Sequence, residues 1–179
     1  MDKQHQIVII GGGTAGIMTA TQLLKKNASL DIAIIDPAET HYYQPAWTLV
    51  GAGAYDYKNT ARSMASLIPK SVTWVKDFVT SFQADEHTID TENSGKIGYE
   101  FLVVAPGLVM DPSLIEGLTE AMEKGIVCSN YTNPEHTWET IKNFKGGNAL
   151  FTQPTTPIKC GGAPQKIAYL AADYFRKSG

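Results

Sequence analysis

Two short apolar runs near the N-terminus are separated by glycines and an amphipathic segment. Ile7–Ile10 and Ile32–Ile35 are unbroken apolar runs, which are typical of strands that are buried on both faces of a parallel sheet. Between them, apolar residues recur at helical spacing from Ile17 to Leu24, and the lysines that follow suit a helix C-terminus. The pattern predicts a strand–helix–strand unit, the building block of an α/β fold with a parallel sheet.

The glycines after the first strand indicate a nucleotide site. Residues 11–16 read Gly-Gly-Gly-Thr-Ala-Gly and satisfy the G-x-G-x-x-G pattern. In such a motif Gly11 permits the tight turn, Gly13 lets the backbone reach a pyrophosphate, and Gly16 lets the helix pack closely on the strand. Because the motif stands between a predicted strand and a predicted helix, it is much more specific than glycines alone.

Three further residues complete the predicted site. Thr14 and Ala15 lie in the first helical turn, where unpaired N–H groups and the helix dipole attract phosphate. Asp36 follows the second strand, where a carboxylate accepts hydrogen bonds from a ribose. We therefore predict an adenine dinucleotide site, the alternative being a purely structural turn. The motif itself does not separate FAD from NAD.

The middle of the chain predicts four more strands and a turn over residues 93–95. The first three alternate in polarity and are expected to be short and antiparallel, whereas the last is expected to be buried. They are Val72–Val75, Phe78–Phe82, His87–Thr91 and Tyr99–Ala105. The predicted architecture is a Rossmann-like α/β domain in which a β-meander forms one crossover of the parallel sheet.

A meander followed by a hydrophobic strand that ends in Ala105-Pro106-Gly107 resembles the FAD domain of the two-dinucleotide-domain flavoproteins. The resemblance implies that this turn lies beside the flavin nucleotide. Threonine is the usual middle residue of this turn in those flavoproteins. Because this chain has Pro106 instead, the resemblance implies only the backbone turn and no side-chain contact. The resemblance also implies that Val79 meets the adenine through its backbone. The alternative is that both strands are ordinary sheet core.

The segment His41–Trp47 is rich in rings and follows the predicted ribose site. Loops at the carboxyl ends of strands carry ligands in such folds, so we expect this segment, including Gln44 and Pro45, to shield a flavin and to hydrogen-bond it through its backbone. The alternative is a small satellite core beneath a loop.

The C-terminal third predicts two helices separated by a strand. Asn133-Pro134 starts a helix that Gly146-Gly147 ends, Ala149–Phe151 is an apolar strand, and Pro164 opens the last helix. We expect residues 1–110 to form the FAD-binding domain and residues 111–179 to form a linker and the opening strand–loop–helix of a second domain. One strand and one helix cannot bury their own apolar faces, so the chain is expected to be part of a longer protein. The alternative is a one-domain protein with a docked terminal helix.

Composition narrows the function classes. The chain has 179 residues, 43% of them hydrophobic, and a net charge of −3, which suits a folded domain and disfavours a nucleic-acid binder. The apolar runs are too short to span a bilayer, and the polar start predicts no secretory signal. Two cysteines make neither a disulfide framework nor a zinc site. We expect an intracellular chain.

Cys160 has the setting of a reactive thiol. It precedes the last predicted helix, with Lys159 and Lys166 nearby, and such a thiol ionises more readily than a free cysteine. Gly161-Gly162 leaves room for a planar cofactor or a second sulfur to approach. The alternative is a small buried hydrophobe, the usual fate of a free cysteine.

Together, several stretches resemble sulfide:quinone oxidoreductase, in the branch shared by firmicute bacteria and mitochondria. They are residues 11–16, Tyr42–Trp47, Cys128–Tyr131 and Lys159–Lys166. The resemblance implies FAD as cofactor, sulfide and quinone as substrates, either a thiol or a growing sulfur chain as sulfur acceptor, and attachment to the inner membrane face through a C-terminal region. It also implies a redox-active pair made by Cys160 and a cysteine of the C-terminal half, with Cys128 as an accessory thiol. The 179 residues alone are then expected not to turn over.

Two other functions compete with this interpretation. The first is another flavin oxidoreductase, such as an NADH dehydrogenase or a flavocytochrome sulfide dehydrogenase. An NADH enzyme should carry a second G-x-G-x-x-G after Ala149–Phe151, where this chain has prolines, threonines and Cys160 instead. The second is a non-catalytic nucleotide-binding module, which a colourless protein would favour.

Overall fold

The computed structural model describes residues 3–153, 155, 158 and 160–178. Its chain forms two units, Met1–His41 with Arg62–Val109 and Tyr42–Ala61 with Met110–Gly179. Residues 42–61 thus belong with the C-terminal part of the chain. A domain boundary after residue 110 stays a prediction.

The described chain contains strands, α-helices and short 3₁₀ turns. In chain order the strands are β1 (Lys3–Ile10), β2 (Ile32–Ile35), β3 (Thr40–Tyr42), β4 (Ala61–Ser63), β5 (Thr73–Val75), β6 (Val79–Gln83), β7 (Thr88–Thr91) and β8 (Lys96–Val104). The helices are α1 (Thr14–Lys26), α2 (Trp47–Gly51), α3 (Met64–Leu67), α4 (Leu118–Glu123), α5 (Pro134–Lys142) and α6 (Ala163–Ser178). Single 3₁₀ turns lie at Gln44–Ala46, Tyr57–Thr60, Ala84–Glu86 and Pro112–Leu114.

The first unit is built on a six-stranded sheet with the order β5-β2-β1-β8-β7-β6. β1 lies parallel to both β2 and β8, with Val8 opposite Ala33 on one side and Leu102 on the other. β6, β7 and β8 are antiparallel neighbours, so a meander leads into the last strand. The predicted α/β class, with a Rossmann-like parallel sheet and a meander crossover, is confirmed.

Alternate residues of β1 and β2 supply two hydrophobic cores, one on each face of the sheet. Ile9 and Ile34 pack with Ala20 of α1 on one face. Val8 and Ala33 share the other face with residues of β5, β7 and β8. Because both faces are covered, the two strands carry unbroken apolar runs, as predicted.

The antiparallel prediction for Val72–Val75 is wrong. β5 pairs parallel with β2, with Trp74 opposite Ile34. It follows β2 through a crossover connection, and a strand that returns to the same sheet in this way runs parallel to the first. Its polar alternation arises because β5 is an edge strand, where Thr73 is exposed.

The last strand is less buried than its apolar run predicts. Phe101 is 63% exposed and Val104 is 55% exposed. β7 pairs with β8 only over Lys96–Gly98, and within the described residues no strand continues beside Phe101–Val104 on that side. A strand with apolar residues on both faces is therefore buried only where neighbouring elements cover it.

The second unit contains a small core between α5 and α6. Ile141, Ile167 and Ala171 are buried there, and the rings of Trp138 and Tyr174 meet edge-on with centroids 5.0 Å apart. The predicted helix starting at Pro164 is confirmed with a beginning one residue earlier. Within the described part of the chain, no helix is long and apolar enough to cross a bilayer.

Two predictions for this unit are wrong. α5 begins at Pro134, and its cap Asn133 accepts a hydrogen bond from the N–H of His136 at 3.0 Å, but it ends at Lys142, before the glycines. Residues 149–151 form no strand, and Leu150 is 86% exposed. A strand needs a neighbour for its backbone hydrogen bonds, and the described residues provide none beside this segment.

Asp77 follows β5 and forms hydrogen bonds with the turn of the meander. Its carboxylate is buried and accepts hydrogen bonds from the N–H groups of Phe78 (2.8 Å), Asn93 (2.9 Å) and Ser94 (2.6 Å). Burial acts to raise its pKa, but these hydrogen bonds outweigh burial and hold the pKa well below the usual range. Asp77 is therefore a structural residue that keeps its charge.

We expect Asp77→Asn to lower the thermal unfolding midpoint at neutral pH, because an amide cannot accept all of these hydrogen bonds. The folded-state pKa is depressed, so the stabilisation is present above the ordinary carboxyl pKa, about 4, and is lost as pH falls below it. Circular dichroism melts at several pH values should therefore show the difference between parent and variant shrinking in acid. Asp85→Asn, at an exposed aspartate, should leave the melts unchanged, and a constant difference at all pH values would contradict the assignment.

Candidate functional site

Two glycines of the G-x-G-x-x-G motif lie where backbone segments come into close contact. Gly11 has a φ of +101°, and a Cβ there would lie 2.1 Å from the carbonyl oxygen of Ala105. A Cβ on Gly16 would lie 1.9 Å from the carbonyl oxygen of Gly11. No side chain fits at either place, so β1, α1 and the end of β8 can approach one another only with glycine at both positions.

The start of α1 is open where a phosphate is expected. Gly13 caps the helix, and a Cβ added there would have nothing within 4 Å. Thr14 and Ala15 are exposed in the first turn, which contains no acidic residue. The N–H groups of a first turn lack partners within the helix, so this end of α1 can hold an anion.

Asp36 is anchored beside that opening. Its two carboxylate oxygens accept hydrogen bonds from the N–H groups of Gly12 (2.6 Å) and Ala38 (2.8 Å), and the residue is half-buried. Each oxygen keeps a further lone pair, which leaves acceptors for ribose hydroxyl groups. The geometry of the glycine turn and this carboxylate fits an adenine dinucleotide.

The end of β8 joins the same cradle. The N–H of Ala105 donates to the carbonyl oxygen of Ile10 at 2.8 Å, while Pro106 is exposed and Gly107 has a φ of +82°. Val79 begins β6 and packs on the core with β7 and β8, in keeping with the sheet-core alternative. Nucleotide contacts by Val79, Ala105, Pro106 and Gly107 stay predictions.

Residues 42–47 of the ring-rich segment belong to the second unit, whereas His41 belongs to the first. Gln44 and Pro45 stand in a 3₁₀ turn, with Gln44 half-buried and Pro45 exposed. Trp47 is buried against the rings of Tyr42 and Tyr57, so the satellite-core alternative describes this tryptophan. A flavin contact by Gln44 or Pro45 stays a prediction.

Cys160 is an exposed free thiol just before α6. The Nζ of Lys166 donates to its Sγ at 3.5 Å. A hydrogen bond from the N–H of Gly162, then the one from Lys166, holds the pKa of this thiol below its usual value. The buried-hydrophobe alternative therefore does not describe Cys160. Lys159 lies outside the described residues.

Cys128 is half-buried and free, and it stands immediately before the turn that begins at Ser129. Burial, and then the charge of Cys160, raises the pKa of the Tyr131 phenol. The sequence named Tyr131 only as part of a resembling stretch and did not single out Asp77. No spacing pattern could have found either residue, because Asn93 and Ser94 lie 16 and 17 positions from Asp77 and Cys160 is distant from Tyr131 in the chain.

Comparison with known proteins decides the family. The sequence model of the family "Pyridine nucleotide-disulphide oxidoreductase" matches residues 5–145. The chain belongs to this family.

Among members of this family, the chain is 44% identical to the mitochondrial sulfide:quinone oxidoreductase of Mus musculus, over 99% of the chain and 40% of that protein. It is 48% identical to the one of Dictyostelium discoideum, over 97% of the chain and 39% of that protein. The crystal structure of sulfide:quinone oxidoreductase from Aquifex aeolicus matches with a TM-score of 0.63 at 29% identity, over 77% of the chain and 30% of that structure. The resemblance drawn from the sequence is confirmed.

These matches indicate the type of cofactor and show how much of its relatives' length the chain covers. Family membership and the relatives indicate an oxidoreductase with a flavin-type cofactor. The chain spans 40% of the length of the mouse relative and 39% of the Dictyostelium one. What those relatives do as whole proteins is therefore taken up only as a proposal.

Proposed function

We propose that this chain carries the FAD-binding part and one sulfur-bearing cysteine of an enzyme that oxidises sulfide and passes the electrons through FAD to quinone. The observation that carries the proposal is the exposed Cys160 thiol, with the Lys166 ammonium 3.5 Å from its sulfur, in a chain that also has a dinucleotide cradle. A non-catalytic nucleotide-binding module has no need of such a thiol.

FAD is the cofactor that the cradle would hold. The N–H groups at the start of α1, with Gly13 and Thr14, would bind the pyrophosphate, and Asp36 would bind the ribose of the adenosine half. A carboxylate there disfavours a 2′-phosphate through charge repulsion. Bound FAD supplies the two-electron chemistry that amino-acid side chains lack.

Cys160 would supply the sulfur chemistry. The thiolate is the reactive form of cysteine, and the contacts from Gly162 and Lys166 favour it. Sulfide attacks the sulfur of Cys160 in a disulfide with a second cysteine, the disulfide bond breaks, and the second cysteine leaves as a thiolate with the electron pair. The new bond leaves a persulfide on Cys160. The disulfide must re-form once the outer sulfur has left Cys160. That oxidation of the two cysteine thiolates releases two electrons, which bound FAD would accept and pass on to quinone.

The sulfur on Cys160 must then leave the site. An acceptor thiolate attacks the outer sulfur, takes it as a persulfide, and releases the Cys160 thiolate. The exposure of Cys160 and the open space at Gly161, where a Cβ would have nothing within 4 Å, support access by such an acceptor. Quinone is a membrane substrate, so we propose that the active enzyme works at a membrane surface.

The proposal is tested on the purified 179-residue chain by two measurements. FAD titration should give protein-bound, fluorescence-quenched flavin, and inorganic disulfide (S₂²⁻) should transfer one sulfur atom to the Cys160 thiolate and release sulfide. Intact mass after alkylation detects the added sulfur. A chain that binds no flavin and accepts no sulfur would be the non-catalytic module instead.

Lys166 should set the reactivity of the thiol. In a Cys128→Ser background, Lys166→Met removes the ammonium beside Cys160, so the midpoint of the alkylation rate against pH should move upward and the rate at pH 7 should fall severalfold. Lys177→Met is the matched control, since Lys177 is on the same helix and pairs with Asp173. An unchanged midpoint in Lys166→Met would show that the ammonium does not act on the sulfur.

A further inference from the structure

The backbone of Asp36 is constrained by its neighbours in the chain and in the sheet. Its N–H donates to the carbonyl oxygen of Val75 at 3.1 Å, which continues the hydrogen bonding between β2 and β5. Pro37 follows in the sequence, and a residue before proline favours extended backbone. The N–H of Gly12 donates to the Asp36 carboxylate, so the side chain is held on the side of the glycine turn.

A side chain of β5 adds a further hydrogen bond to this residue. The indole N–H of Trp74 donates to the carbonyl oxygen of Asp36 at 2.9 Å, although the two residues are 38 positions apart. The N–H groups of Gly12 and Ala38 donate to the two carboxylate oxygens. Asp36 therefore has a hydrogen-bond partner at its N–H, at its carbonyl and at its side chain.

The Trp74 ring has two contacts that limit its rotation. It is half-buried and packs against the core that contains Ile9 and Ile34. The Nζ of Lys76 lies over the ring, 4.5 Å from its centroid, which is within the range of a cation–π interaction. These contacts leave the indole N–H little freedom to turn away from the carbonyl oxygen of Asp36.

Lys76 also contacts the loop that follows β2. Its Nζ lies 2.7 Å from an oxygen of Glu39, and both side chains are more than half exposed. Exposed ion pairs contribute little to stability, because water screens them. The hydrogen bond from Trp74 is partly shielded from water, so we expect it to fix the position of Asp36 more strongly than this ion pair does.

We propose that Trp74 is a positioning residue of the nucleotide site, whose indole N–H holds Asp36 so that its carboxylate meets the ribose hydroxyl groups of the adenosine half. The inference rests on the proposed function, in which the cradle holds FAD, and adds a residue that sets the preference for ribose. Trp74 acts through Asp36. Hydrogen bonds to ionised groups are strong but weaken steeply when their geometry is poor, so a displaced carboxylate would lose this preference.

The test compares the binding of ADP and of 2′-deoxy-ADP to the purified chain by isothermal titration calorimetry. The two nucleotides differ only in one hydroxyl group that Asp36 would bind. We expect the parent to bind ADP about tenfold more tightly, because 2′-deoxy-ADP cannot form that hydrogen bond. Trp74→Phe retains a ring but lacks the N–H, and its preference for ADP should fall below about threefold. A purely structural role of the ring would weaken both nucleotides alike and leave the preference unchanged.

Three further variants sharpen the test. Trp74→Tyr also lacks the indole N–H and should show the same reduced preference, which provides a second variant if Trp74→Phe does not fold. Asp36→Asn should have a reduced preference that Trp74→Phe lowers no further, since residues that act as one unit are not additive. Trp138→Phe is the matched control, because Trp138 packs on Tyr174 in the second unit, and it should keep the preference of the parent.

The outcomes separate this inference from the proposed function. An unchanged preference in Trp74→Phe, an equal fall in Trp138→Phe, or additive effects of Trp74→Phe and Asp36→Asn would overturn the role of Trp74 alone. A parent that binds FAD but does not distinguish ADP from 2′-deoxy-ADP would also overturn it. A parent that binds neither FAD nor ADP would overturn the dinucleotide site of the proposed function and this inference with it.

Discussion

Gly16→Ala should prevent the first unit from folding stably. The new methyl group would stand 1.9 Å from the carbonyl oxygen of Gly11, and neither backbone segment can retreat without separating α1 from β1. Overpacking of this kind costs about 3 kcal/mol or more, a large share of the stability of a typical domain. Urea unfolding, followed by circular dichroism, should show the loss directly.

Gly13→Ala is the matched control for this substitution. A Cβ at Gly13 has nothing within 4 Å, and its φ of −73° is one that alanine adopts, so the variant should unfold with the parent. It should nevertheless bind FAD at least about tenfold more weakly, or about 1.4 kcal/mol, because the methyl group occupies the expected pyrophosphate position. A Gly16→Ala chain as stable as Gly13→Ala would contradict the close approach of α1 to the turn.

Cys160→Ser should abolish sulfur uptake from inorganic disulfide. A serine hydroxyl is not ionised near neutral pH and cannot form a persulfide, so the signal should fall to background while the fold is retained. Cys128→Ser is the control and should keep most of the uptake, since Cys128 is half-buried and the family resemblance implies only an accessory role for it. Intact mass and thiocyanate release give two independent readouts. If sulfur uptake survived in Cys160→Ser but disappeared in Cys128→Ser, the reactive thiol would be Cys128 and the proposed role of Cys160 would be wrong.

The local parts of the fold follow from the sequence because their patterns are local. The apolar runs of β1 and β2, the glycines between them and the lysines at the end of α1 lie within 36 residues. In this stretch, the formation of each strand, turn and helix depends on residues that are close together in the sequence. The family resemblance could be drawn for the same reason, since it rests on short contiguous stretches such as residues 11–16.

Errors arose where an apolar run was interpreted without its neighbours. Ala149–Phe151 has the composition of a strand, but backbone pairing needs a second strand. Phe101 and Val104 look like core, yet their exposure depends on where β7 stops pairing with β8. β5 has the alternation of an antiparallel strand, and only its route back to the sheet sets its direction.

The sequence by itself determined the α/β class and the glycine turn between β1 and α1, and it marked Asp36 and Cys160 as candidates for ribose binding and for the reactive thiol. Only the tertiary structure decided that Asp77 accepts hydrogen bonds from the meander turn and that the Nζ of Lys166 lies 3.5 Å from the sulfur of Cys160. Helical and strand periods are properties of adjacent residues, whereas these contacts depend on how the chain closes its loops and packs its helices.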